Sequence, residues 1–115
     1  MSDYKYFSLD EFVCSETGEE GMCPEFLKSI SHLRQICDFP FVITSGFRSK
    51  NHSAEKSKKT PGTHTLGIAA DVAVSGGSQR MAIVKHASAM GMSVGIAKTF
   101  VHVDIRKTPA MCWCY

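Results

Sequence analysis

The chain has 115 residues, enough for one modest core and no separate binding module. Apolar residues make up 43% and charged residues 21%, the balance of an ordinary globular domain rather than of a disordered chain. The net charge of +2 is too small to argue for nucleic acid, and no apolar run reaches the roughly 18 residues of a membrane span.

The chain opens MSDYKYFSLDEF, with acidic residues where a signal peptide has its apolar core, so no secretory signal is expected. Ser8-Leu9-Asp10-Glu11 reads as a capping box: the serine oxygen accepts an early backbone N–H and Glu11 reaches back. A short helix from Leu9 to Cys14 follows, then a polar loop, SETGEEG. Pro24 suits a first helical position, where its missing N–H costs nothing. Phe26, Leu27, Ile30, Leu33, Ile36 and Cys37 recur at three- and four-residue spacing and predict an amphipathic helix to Cys37. Phe41 to Thr44 is a short strand. Gly46 to Thr63 is a long polar stretch, and loops of that length in a small domain are commonly functional or mobile. Leu66 to Val74 reads as a buried strand carrying Asp71. After the Gly76-Gly77 turn, Ser78 N-caps a helix whose Met81, Ile83, Val84, Ala87 and Met90 form one apolar face, ending at Gly91. Val94 to Ala97 and Phe100 to Arg106 are two further strands.

Five cysteines, an odd count without a signal peptide, argue for reduced thiols rather than a complete disulfide framework. Cys112 and Cys114 flank Trp113. This CxC spacing is weaker than paired CxxC, and a metal site there would need more ligands.

The chemistry concentrates in three places. Along the last strand side chains alternate faces, so Val101, Val103 and Ile105 point one way and Phe100, His102, Asp104 and Arg106 the other, into a cleft or into solvent. Asp71 interrupts Ile68-Ala69-Ala70 and Val72-Ala73-Val74. A carboxylate buried there is costly unless it binds a metal or an ion-pair partner, for which Arg48 and Lys98 are candidates. His64 lies between the long loop and that strand. Two imidazoles and a carboxylate, His64, Asp71 and His102, are ligand types that hold zinc while leaving a position open to water. His32, His52 and His86 read as surface or loop residues. Lys50, Lys56, Lys58 and Lys59 form a basic loop, either simply solvated or attracted to anionic material.

SGFRS at 45–49, H-x-x-G-x-A-x-D at 64–71 and H-V-D at 102–104 together resemble the M15 family of zinc peptidases. The sixteen-residue interval from Arg48 to His64 and the seven from His64 to Asp71 are also similar to the family's. The likeness runs from about Phe41 to Arg106, and its compactness resembles the small phage-encoded branch. The resemblance implies one α+β domain over residues 1–115, with a small, mainly antiparallel sheet and helices packed on one side, as in hedgehog and D-Ala-D-Ala peptidase folds. It implies zinc bound by His64, Asp71 and His102. It also implies that Arg48 binds substrate or stabilises the oxyanion, unless it serves only to order its loop, with Ser45 supporting that loop through its hydroxyl. Gly67 and Ala69, small as in the family pattern, let the strand approach metal or substrate closely, or simply pack.

The implied activity is hydrolysis of peptidoglycan peptides, as a D-Ala-D-Ala carboxypeptidase or an L-Ala-D-Glu endopeptidase. As a phage-encoded endolysin it would be made in the host cytoplasm and act on the cell wall after release. A monomer is expected, with peptidoglycan peptides as partners and no nucleic acid. Many members carry an acidic base three positions before the last histidine, where this chain has Thr99. Asp104 is then the local candidate for the base, with orientation of a ligand as its other reading. The alternative function is a catalytically inactive, zinc-containing peptidoglycan-binding module, as for some hedgehog domains.

Overall fold

The computed structural model of the chain describes residues 6–54 and 62–115, so Lys56, Lys58 and Lys59 of the basic loop lie outside the described residues. The capping box forms at Ser8: its Oγ accepts the Asp10 N–H, and its own N–H donates to Glu11. It starts a single turn of 3-10 helix, Leu9–Phe12, shorter than the helix to Cys14 expected from sequence. That turn delivers Phe12 into the core edge-on to Phe7 at 5.3 Å.

Helix α1, Pro24–Cys37, has proline at its start and buries Phe26, Leu27, Ile30 and Leu33, the expected stripe. Ile36 falls outside the stripe and is exposed. The helix stops at Asp38, in the left-handed region at φ 59°, whose N–H returns to the Arg34 carbonyl.

The strands are β1 (Ile43–Ser45), β2 (Ala69–Ala73), β3 (Ser93–Ile96), β4 (Phe100–Asp104) and β5 (Cys112–Cys114), and helix α2 (Gly77–Ala89) connects β2 to β3. They form one sheet in the order β1-β2-β4-β3-β5, antiparallel except for the parallel pairing of β3 with β5. The fold is thus α+β with a mixed, mainly antiparallel sheet. Ala70, Val72, Val94, Val101 and Val103 point to one face, where they share a core with Ile30 and Leu33 of α1 and with Ile83 and Ala87 of α2. Strand alternation sends Asp71, His102 and Asp104 to the other face.

Several boundaries differ from the sequence expectation for local reasons. Phe41 leaves the strand register to join an aromatic cluster with Phe7 and Phe39, and β1 begins two residues later. Helix α2 is capped by Gly76, not Ser78, while Gln79 reaches back to accept the Ser75 N–H. Met81 lies on the outer side of α2, 66% exposed, because the core face is taken by Ile83 and Ala87. All five cysteines are free thiols.

Leu66 and Gly67 form a turn ahead of β2 rather than its first residues. Gly67 adopts φ +74°, and a Cβ there would collide with the Gly21 carbonyl oxygen, while the Gly67 carbonyl accepts the Cys23 N–H at 2.8 Å. Its smallness therefore joins two loops instead of admitting metal or substrate. Gly67→Ala is expected to destabilise by at least about 1–3 kcal/mol, combining a left-handed backbone with a steric clash. Denaturant unfolding of the two proteins checks this.

Candidate metal centre

The pairing register builds the site as a row across the sheet. Ser45 lies opposite Asp71, Asp71 opposite His102, His102 opposite Gly95, and Gly95 opposite Trp113. His64 enters from the turn before β2 and is buried with Asp71 and His102. The structure brings all three together: one ligand atom from each lies within 4.8 Å of the others. His64 Nε2 is 3.3 Å and His102 Nδ1 3.0 Å from the same oxygen, Asp71 Oδ1.

The remaining imidazole nitrogens are fixed by supporting partners. His64 Nδ1 lies 2.8 Å from the Gly46 carbonyl, which accepts only, so this nitrogen carries a proton and Nε2 is the nitrogen that would ligate an ion at the site. His102 Nε2 lies 2.7 Å from Asp104 Oδ2, which in the same way leaves Nδ1 to face Asp71. Carbonyl or carboxylate support behind a ligating histidine is the usual arrangement at metal sites. The donor set, two oriented nitrogens and a carboxylate, fits zinc by ligand type.

Without an ion these same groups must satisfy one another. Burial pushes the Asp71 carboxyl upward, but hydrogen bonds from His102 and His64 and their charges hold it well below the usual carboxylate range. Burial likewise disfavours a charged His102, yet Asp104 and Asp71 together lift its pKa. A metal ion at the site would ligate His102 Nδ1 in its deprotonated form.

Arg48 stands at the cleft edge. Its Nε donates to Ser45 Oγ at 3.2 Å, its backbone N–H donates to the His64 carbonyl, and its Nη2 is 3.8 Å from Asp71 Oδ2. The serine thus supports the arginine through its hydroxyl. Among the described residues the ion-pair partners of Asp71 are Arg48, His64 and His102, not Lys98. His52 pairs with Glu16, apart from the triad.

Asp104 shares the face of His102 but is 0% exposed and does not line the cleft. Its Oδ1 accepts from Arg106 N and Nε, and its Oδ2 from Arg106 Nη2 and His102 Nε2. Burial raises its pKa, but these hydrogen bonds outweigh that and set it below the ordinary carboxylate range. Thr99 is exposed in the turn between β3 and β4.

The cleft over the triad measures about 510 Å³, within the range of small-ligand sites. Its lining includes residues that sequence reasoning missed: Thr63 and Leu66 from the turn, and Trp113 and Tyr115 from the C-terminus. No local signal marked the last two, since C-W-C-Y is a short run without apolar–polar alternation.

A family model described as Peptidase M15 matches residues 5–104. Comparison with curated proteins and with solved structures gave no match. The matched span takes in the triad, Arg48 and Asp104 and stops short of β5; over all but its two ends, the chain belongs to the peptidase M15 family.

Proposed function

We propose that the protein is a zinc-dependent peptidase that hydrolyses peptidoglycan peptides, of D-Ala-D-Ala carboxypeptidase or L-Ala-D-Glu endopeptidase type, in phage-encoded wall lysis. The observation that carries this reading is the convergence of His64 Nε2, His102 Nδ1 and Asp71 at the floor of an open cleft, each imidazole oriented from behind. Zinc held there supplies Lewis acidity toward a scissile carbonyl and toward water. Arg48, at the cleft edge and steadied by Ser45, offers its guanidinium fork to a substrate carboxylate or to the developing oxyanion. A base must present an oxygen to the reacting water. Both oxygens of Asp104 are committed to Arg106 and His102, so we assign Asp104 the positioning of His102. The protein acts as a monomer on the wall after release from the host cytoplasm.

A second reading, a zinc-bearing binding module without turnover, is favoured by one observation. Among the described residues, Asp71 is the sole carboxylate lining the cleft, and it belongs to the triad.

Mass spectrometry of a muropeptide mixture incubated with the protein, with and without chelator, separates the readings. Chelator-sensitive loss of a terminal alanine establishes the carboxypeptidase. Chelator-sensitive release of L-Ala from the rest of the stem establishes the endopeptidase. Intact fragments, with a full equivalent of zinc bound and muropeptide retained by the protein, favour the binding module.

A further inference from the structure

The geometry points to β5 as the specificity wall of the cleft: the rings of Trp113 and Tyr115 take an aliphatic side chain of the substrate peptide, opposite Arg48. This rests on the peptidase reading above and deepens it. The wall lies beyond residue 104, outside the span matched by the family model.

Its position follows from the sheet register. Trp113 lies opposite Gly95, and Gly95 lies opposite His102. A Cβ on Gly95 would sit 2.6 Å from the indole Nε1 and Cε2. Only glycine there lets the indole lie across β3 and approach the His102 ring, 5.2 Å between centroids. The Arg106 guanidinium also lies over the indole, at 4.8 Å. Arg106 is held by Asp104, and Asp104 holds His102. The contacts close a ring, His102 to Asp104 to Arg106 to Trp113 and back, so the wall is registered to a triad residue rather than hung loosely beside it.

Tyr115 extends the wall to the cleft mouth. Its backbone N–H donates to the Ile96 carbonyl, and its ring packs on Phe100 at 5.2 Å, yet the residue remains 68% exposed. Trp113, half-buried, and Tyr115, exposed, present an aromatic surface beside the ionic floor of the cleft. The opposite edge carries the Arg48 guanidinium. A flat apolar bank facing a cation suits a short peptide whose small aliphatic side chain lies on the rings and whose carboxylate or carbonyl meets Arg48.

Trp113 is the only tryptophan of the chain, so its fluorescence reports the wall directly. The test titrates the zinc-loaded protein with a synthetic stem pentapeptide, L-Ala-D-isoGlu-L-Lys-D-Ala-D-Ala, and measures hydrolysis of the same peptide. We expect a saturable change in emission. Tyr115→Ala, at an exposed position, and Trp113→Phe, which keeps a ring, are each expected to raise KM about tenfold with kcat within about twofold and with zinc content unchanged. Gly95→Ala, which keeps both rings but fills the space beneath the indole, is expected to raise KM similarly. Unchanged KM in Tyr115→Ala and Trp113→Phe overturns the proposal, as does a fall in kcat that tracks loss of zinc. If the protein hydrolyses no bond of the peptide, the peptidase reading fails and the titration alone decides: saturable emission change abolished or weakened in Tyr115→Ala sustains the wall, and a flat titration overturns it.

Discussion

Asp71→Asn is expected to abolish zinc binding and, with it, turnover. One oxygen, Asp71 Oδ1, lies within 3.3 Å of His64 Nε2 and within 3.0 Å of His102 Nδ1, so the carboxylate is the hub through which both imidazoles are gathered. The amide keeps the shape of the side chain but removes the negative charge that offsets a divalent cation, and it presents donors where ligand lone pairs are needed. Losing a supporting group behind a metal ligand costs roughly 10–100-fold in affinity. Losing the central ligand is expected to cost more than that, about 1000-fold or beyond. The result is read in two ways. Metal analysis of dialysed protein should fall from one equivalent to near zero. Thermal unfolding should lose its response to added zinc, because an ion that binds only the folded state stabilises by about 2.7 kcal/mol at a hundred times its dissociation constant. A variant that keeps one equivalent of zinc and the wild-type thermal shift would show that the triad is not the metal site.

The parts of this fold that could be read from sequence are those set by local pattern. The stripe Phe26, Leu27, Ile30, Leu33 and the proline at its start define α1 because periodicity and capping are properties of neighbouring residues. The alternation from Phe100 to Asp104 placed His102 and Asp104 on one face for the same reason. The triad itself came from motif spacing, since no local rule brings His64 within reach of a strand nearly forty residues later in the chain. What escaped was set by contacts between distant segments. The positive φ of Gly67 answers to Gly21, and the early departure of Phe41 from its strand answers to Phe7 and Phe39. Three residues, Cys112 to Cys114, form too short a run to announce a strand, and β5 exists because Val94 to Ile96 offers it an open edge. The commitment of both Asp104 oxygens likewise depends on Arg106 folding back onto its own strand, which alternation alone does not reveal.

That commitment yields the second large effect. If Asp104 orients His102, Asp104→Asn weakens zinc binding by roughly 10–100-fold, and kcat recovers when zinc is supplied in excess. If Asp104 were the base, kcat would stay depressed by roughly 100–10,000-fold at saturating zinc. Measuring kcat against free zinc concentration in both proteins distinguishes the roles, and recovery is the expected outcome because neither oxygen faces the cleft. Stability moves as well. Asp104→Ala leaves the Arg106 guanidinium and the His102 N–H without their acceptor, and removing one partner of a buried pair costs about 3–5 kcal/mol. The lower end applies, since the Arg106 side chain retains 23% of its exposure and water can reach it. The asparagine variant should lose less, as its carbonyl oxygen still accepts one of the two donors. The pH dependence follows from the lowered pKa of Asp104. Its contribution is fully present above the ordinary carboxyl value of 3.8 and fades as pH falls through the lower value of the folded state. Acid unfolding of metal-free Asp104→Asn should therefore be less steep below pH 4 than that of the parent, whereas a carboxyl free in the cleft would leave the acid limb unchanged.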